Sequence, residues 1–282
     1  MQLNERLKGI KVFAEEIRVE TLKEFKSLGF GHVGGSMSII DVLAVLYKDT
    51  MRFDPKNPKM RNRDFLVTSK GHAGPSVYAT LALCGFFPIE ELQTLNKPYT
   101  NLPSHTDRLK TAGVDMTTGS LGQGVSSATG IALGNKIDKL DSRTFVFVGD
   151  GELNEGQCWE AAQFAAHHKL DRLTVFVDNN KKQLDGTCDE IMTTFDLAKK
   201  YESFGFHTVR IDGHDHVAIL EAIENANLET EKPSCIVLDT LKGKGCNFVE
   251  VADKNHSSTF NDAQIDDAIA HAEKVLAEAR NA

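Results

Sequence analysis

The chain has 282 residues, 41% of them hydrophobic and 26% charged, a composition typical of a soluble globular protein that buries a core without disulfide or metal staples. Its formal net charge of −8, with the basic residues dispersed, argues against non-specific nucleic-acid binding and against docking on an anionic membrane. The start, MQLNERLKGIKVF, does not have the apolar core of a signal peptide, and no apolar run approaches the roughly 20 residues of a bilayer span.

The cysteines Cys84, Cys158, Cys188, Cys235 and Cys246 are scattered and form no CxxC pair, which reads as reduced thiols in a cytoplasmic protein. Apolar positions Leu7, Ile10, Phe13, Ile17, Leu22 and Phe25 predict a helix from about Glu5 to Leu28. A Gly-rich break, Gly29 to Gly35, precedes a second helical run from Ser38 to Tyr47. Asp64 to Thr68 reads as a short buried strand ending in the turn Ser69-Lys70-Gly71-His72, and Pro75 opens a helix to Leu83.

A polar, proline-containing loop spans Asn96 to Thr111. Gly119-Ser120-Leu121-Gly122-Gln123-Gly124 follows, and then a helix of small residues to about Lys139. Thr144 to Val148 is the clearest strand; a helix over 155–168 and a strand over Leu173 to Val177 come next. Helices near Phe195–Phe204 and Val217–Asn227 alternate with strands at His207–Ile211 and Ser234–Thr240, and a last helix starts near Asp262. Short, continuously apolar strands alternating with helices predict an α/β fold: a mostly parallel sheet with helices on both faces, built as one domain over residues 1–282.

Open parallel sheets bind ligands at the carboxyl ends of their strands. Two such ends stand out, Val148-Gly149-Asp150-Gly151 and Val177-Asp178-Asn179-Asn180. If the two strands are neighbours, Asp150 and Asn180 can converge. A carboxylate with an amide oxygen suits Mg²⁺, whose octahedron diphosphate oxygens can complete. The helix starting near Glu155 would aim its positive end at the same place, and glycines 149 and 151 would let a phosphate approach the backbone. A lone GDG would be only a strand-ending turn; the Asn pair, the strand and the following helix make it a cofactor site.

Gly149-Asp150-Gly151 and, twenty-seven residues on, Asn179-Asn180 resemble the thiamine-diphosphate fingerprint. Thr118-Gly119-Ser120-Leu121-Gly122-Gln123-Gly124 narrows the resemblance to the transketolase family. So do Gly31-His32-Val33-Gly34-Gly35, Ser69-Lys70-Gly71-His72-Ala73 and Lys242-Gly243-Lys244-Gly245 with His256. The likeness runs from about Leu7 to His256. It implies that Asp150, Asn180 and the carbonyl of Lys182 bind Mg²⁺ (or Ca²⁺ or Mn²⁺ in its place). His72, Gly119, Ser120, Leu121, Gly151, Asn180, Lys242 and His256 would contact thiamine diphosphate. His32, His105 and His256 would line the substrate channel. His105 lies in Leu102-Pro103-Ser104-His105, where the family usually shows Gly-His-Pro. Glu155 looks like the family glutamate of a carboxylate network across the subunit interface.

The implied reaction is transfer of a two-carbon ketol unit from a ketose phosphate to an aldose phosphate, with the cofactor as electron sink. Such chemistry needs groups that exchange protons near neutrality, and His32, His72 and His256 all fall in predicted loops. His167, His168, His207, His214, His216 and His271 stand in no motif and read as structural or solvated.

Full-length transketolases carry two further domains, one of which supplies the glutamate that activates the aminopyrimidine ring. The chain is therefore expected to work with a partner chain carrying the pyrimidine-binding half, in an α2β2 assembly. A decarboxylating synthase or 2-oxo acid dehydrogenase subunit is the competing enzyme reading, which the Gly-Ser-Leu-Gly-Gln-Gly string disfavours. A non-catalytic scaffold is the other alternative, which the retained metal ligands and histidines disfavour.

Overall fold

The computed structural model describes residues 3–282. Helix α1 (Leu3–Leu28) leads into a two-residue strand β1 (Phe30–Gly31) and the short helices α2 (Val33–Met37) and α3 (Ile40–Val45). The Gly-rich break is thus shorter than expected. Its second half is helical because Val33 to Met37 are all buried. The predicted run to Tyr47 ends instead in a π-helical turn, Leu46–Thr50.

Then come β2 (Phe65–Thr68), α4 (Gly74–Leu83), α5 (Gln123–Ile137), β3 (Thr144–Gly149), α6 (Gly156–His167), β4 (Leu173–Asn179), α7 (Cys188–Ile191), α8 (Leu197–Ser203), β5 (His207–Asp212), α9 (His216–Leu228), β6 (Ser234–Asp239), α10 (Asn247–Glu250), β7 (Ser258–Thr259) and α11 (Asp262–Asn281).

Five strands form one parallel sheet in the order β2-β3-β4-β6-β5. Side chains alternate between its faces, and both faces are buried. Phe145, Phe147, Phe176, Ile236 and Leu238 point to one side, where α1, α3, α4, α9 and α11 cover them. Val146, Val148, Val175, Val177 and Val237 point to the other, against α5, α6 and α8. On that second face the helices contribute Ala128, Ala132, Ala161, Ala162 and Ala165, so their backbones approach the sheet closely.

The register sets Gly149 opposite Asp178 on the neighbouring strand, so the two ligand-bearing strand ends are adjacent. A small antiparallel pair, β1 with β7, joins Phe30 to Thr259 and Gly31 to Ser258 and draws the segment after the Lys242 loop beside His32.

Candidate active site

Four imidazoles converge. The His32 ring centroid lies 5.5 Å from that of His72, 5.5 Å from His105 and 5.4 Å from His256, and the His72 and His256 rings are 4.6 Å apart. His32 is placed by β1 and caps α2; His72 sits in the turn after β2; His256 precedes β7. His105 joins them despite its altered motif, seated against Gly119, where a Cβ would lie 3.3 Å from the ring.

All four are held neutral. Burial lowers His32, helped by His105 and Lys242, and lowers His72 well below the ordinary value, helped by Lys70. His256 falls to about 3 through burial and Lys242, and burial also lowers His105.

Beside the histidines lies the strand-end oxygen set. The Asp150 carboxylate, 2% exposed, accepts from Gly151 N at 2.8 Å and from Lys181 N. Burial and the nearby Asp178 raise it to about 6. Such a carboxylate gains from a cation. The Asn180 amide donates to Asp178 at 2.8 Å, and its Oδ1 accepts from Lys182 N at 3.2 Å. Lys182 O accepts from Lys242 Nζ at 2.8 Å, and Lys242 is lowered to about 8 by burial.

Among the described residues no cluster of three or more His, Cys, Asp or Glu is arranged to hold a metal. The expected set is a different kind: one carboxylate, one amide oxygen and one main-chain carbonyl. It fits a hard cation carrying a diphosphate, for two reasons. A Cβ on Gly151 would lie 3.0 Å from Gln183 Cβ, so a side chain would crowd this close approach. The Gln183 amide nitrogen is also buried with no partner among the described residues, a donor left over for an anion.

The segment after Asp150 differs from expectation. Gly151–Asn154 is a 3₁₀ turn, and the α-helix starts only at Gly156, with Glu155 as its N-cap. The helix expected to start near Glu155 is therefore present, with a 3₁₀ turn between it and Asp150. Glu155 is exposed, with its Cβ 3.0 Å from where a Cβ on Gly122 would stand. Ser120 and Leu121 are exposed at the rim of the same loop.

The carboxylate that organises this corner is Glu152, which no motif marked. It is 2% exposed and accepts from Ser69 Oγ, from Gly122 N at 2.8 Å and from Gly149 N at 3.0 Å. One side chain thus ties the second histidine motif, the Gly119–Gly124 string and the GDG strand end together. Gly122 can present its N–H this way because it sits at φ +85°.

A second unmarked pair lies underneath. Lys70 Nζ, in a residue 1% exposed, donates to Asp178 at 2.6 Å and to Gly35 O at 2.6 Å; Ser38 and Thr240 also bond Asp178. Burial alone would raise Asp178, but Lys70 holds it below the usual range. Both members belong to noted strings, yet only contact between strand ends identifies them as a pair.

The remaining histidines stay outside. His214, His216 and His271 line a separate cleft of about 920 Å³ with Arg18 and Asp41.

Comparison with known proteins gives the same picture. Residues 10–273 match the family model described as transketolase, thiamine diphosphate binding domain. The chain is 50% identical over 261 residues to a 6-deoxy-6-sulfo-D-fructose transketolase subunit of Clostridium sp. (strain MSTE9), covering 93% of this chain and 95% of that protein. It is 35% identical to an apulose-4-phosphate transketolase subunit of Phocaeicola vulgatus, covering 85% of each. Against transketolase 1 of Escherichia coli (strain K12) it is 34% identical but spans only 40% of that protein. The transketolase structure from Leishmania mexicana superposes with a TM-score of 0.86 at 28% identity, over 96% of this chain and 45% of that one. The sheet, the converging motifs and these relationships lead to one assignment: the chain belongs to the transketolase family and is a thiamine-diphosphate-dependent transketolase subunit.

Proposed function

We propose that residues 1–282 form the diphosphate-binding domain of a two-chain transketolase, in which Asp150, Asn180 and Lys182 O hold Mg²⁺ and the four clustered histidines handle the sugar. The observation that carries this reading is the gathering of four neutral imidazoles beside a buried carboxylate at adjacent strand ends. When bound, thiamine diphosphate supplies the carbon nucleophile and electron sink of ketol transfer.

The chain's own residues do the rest. His72, Gly119, Ser120, Leu121, Gly151 and Lys242 surround the diphosphate and thiazolium. The Lys242 ammonium and the Gln183 amide face negative charge. His32, His105 and His256 hydrogen-bond the ketose hydroxyls and carbonyl. A neutral imidazole both donates and accepts, so each can take a hydroxyl proton and return it without first losing one.

Glu155, exposed on this chain, suits contact with a second protein chain. Two relatives named as subunits are matched over 95% and 85% of their own length, which supports a partner carrying the pyrimidine-binding half. Two of each chain is the expected closed assembly. No described helix is long and apolar enough to cross a membrane, and the five cysteines are free, four of them buried; we place the enzyme in the cytoplasm.

The donor is a ketose with a terminal anion, phosphate or sulfonate. The 50%-identical relative is named for a sulfosugar and the 35%-identical one for a sugar phosphate, and both share the ketose head that the imidazoles would meet.

The test is Asp150→Ala in the chain reconstituted with its partner. Calorimetry should show thiamine diphosphate affinity falling more than tenfold, above about 1.4 kcal/mol. Unchanged affinity would move the metal elsewhere. A parallel product assay on pyruvate should give no decarboxylation; its appearance would favour the synthase reading.

A further inference from the structure

The loop that leaves β6 has two sides. On the front, Lys242 reaches Lys182 O at 2.8 Å and lies 3.4 Å from His256 Nδ1. On the back, the loop is held by a cluster outside the site. Leu241 N donates to His214 Nε2 at 2.9 Å. That nitrogen therefore carries a lone pair, and the ring proton sits on Nδ1, which faces Asp41 Oδ2 at 2.8 Å.

Asp41, on α3 and 4% exposed, is fixed in turn by His216 Nε2 at 3.0 Å and Arg18 Nη2 at 3.3 Å. Arg18, also 4% exposed, donates through Nη1 to Lys244 O at 2.7 Å. The loop packs directly on this arginine: Gly245 lies at φ +85°, and a Cβ there would stand 2.3 Å from Arg18 Cδ. Residues on either side of Lys242 are thus clamped to one buried carboxylate.

We propose that His214 is a positioning residue for Lys242: Asp41 fixes its tautomer and ring, and its bare Nε2 anchors the Leu241 amide so that the Lys242 ammonium stands in the cofactor site. The inference rests on the cofactor role proposed for Lys242. An orienting carboxylate behind a histidine is a general way to fix ring and tautomer.

Two substitutions separate the two ring contacts. In His214→Asn the amide nitrogen can replace Nδ1 toward Asp41 but leaves Leu241 without an acceptor. In His214→Gln the amide oxygen can reach the Nε2 position and keep that acceptor. With the partner chain present, His214→Asn should weaken thiamine diphosphate binding about tenfold, about 1.4 kcal/mol, while His214→Gln stays within about threefold. In the Lys242→Ala background, His214→Asn should add less than about threefold, because the two act through one ammonium. In the chain alone, hydrogen exchange at the Leu241 amide should accelerate in His214→Asn and not in His214→Gln.

Wild-type affinity in His214→Asn, or a loss that adds in full to that of Lys242→Ala, would overturn the positioning role. Lys242→Ala with unchanged affinity would overturn the reading of Lys242 itself, and this inference with it.

Discussion

Burial decides the protonation of the residues that matter most. The four clustered imidazoles have their pKa values depressed, so they are neutral in the folded chain at pH 7. If they serve as acids and bases, His32→Ala and His256→Ala should each lower kcat or kcat/KM by roughly 10²–10⁴ in a ketol-transfer assay. Wild-type rates in both variants would make these residues structural.

Glu24 presents the opposite case. Its side chain is fully buried on α1, and neither carboxylate oxygen has a partner among the described residues. Burial, with Glu20 nearby, raises it well above the ordinary value. A carboxyl raised in the folded state releases its proton on unfolding, so its stabilising effect is full below the unfolded pKa of about 4.3 and is lost as pH rises above it. Glu24→Met should therefore raise the melting temperature at pH 8 by several degrees, and the gain should shrink toward pH 4. A gain independent of pH in thermal scans would contradict a neutral buried Glu24.

At the scale of elements, close approach between loops does the positioning. Gly35 on α2 would carry a Cβ 2.9 Å from His72 Nε2. Gly35→Ala must displace that ring. Overpacking of this kind costs about 1–3 kcal/mol of folding stability. With the sheet intact by circular dichroism, the displaced ring should also lower cofactor affinity measured by calorimetry by about tenfold. Unchanged affinity would mean that the His72 ring does not touch the cofactor.

Elements also show how far sequence carries. Strands β3 and β4 were legible because short, nearly continuous apolar runs, Phe145 to Val148 and Leu173 to Val177 broken only by Thr174, stand between turn signals, and Asp150 and Asn180 because each closely follows such a run. The pairing of β1 with β7 was not, since two-residue strands have no periodicity to read. Nor was the role of Glu152, whose three partners lie in separate segments and meet only when the loops fold together. The α-helix expected near Glu155 is capped by that residue, but the 3₁₀ turn before it, whose first N–H donates to Asp150, left no sequence signal. His105 could be placed by family likeness alone, and the structure brings its ring to the cluster through the long loop.

For the whole molecule, the sheet order leaves the site at one edge of strand ends, with Ser120, Leu121 and Glu155 exposed around it. Gly130 and Gly134 on α5 have open space where a side chain would stand, and Ile137 and Phe164 are also exposed. Ile137 and Phe164 lie in the last turns of their helices, at the amino end of the sheet and away from the site, whereas Ser120, Leu121 and Glu155 rim the site itself; we propose this rim as the contact for a second chain. Two full-length transketolases are more than twice as long as the region this chain matches: it covers 40% of the Escherichia coli enzyme and 45% of the Leishmania mexicana structure. The glutamate that family resemblance assigns to activating the aminopyrimidine ring would come from the partner.

The most direct measurement purifies this chain alone, adds Mg²⁺ and thiamine diphosphate, and follows ketol transfer from ketose phosphate or sulfonate donors to an aldose phosphate, before and after adding the pyrimidine-binding partner. The account predicts no turnover by the chain alone and activity once the partner is present, whereas robust turnover by the isolated chain would contradict it.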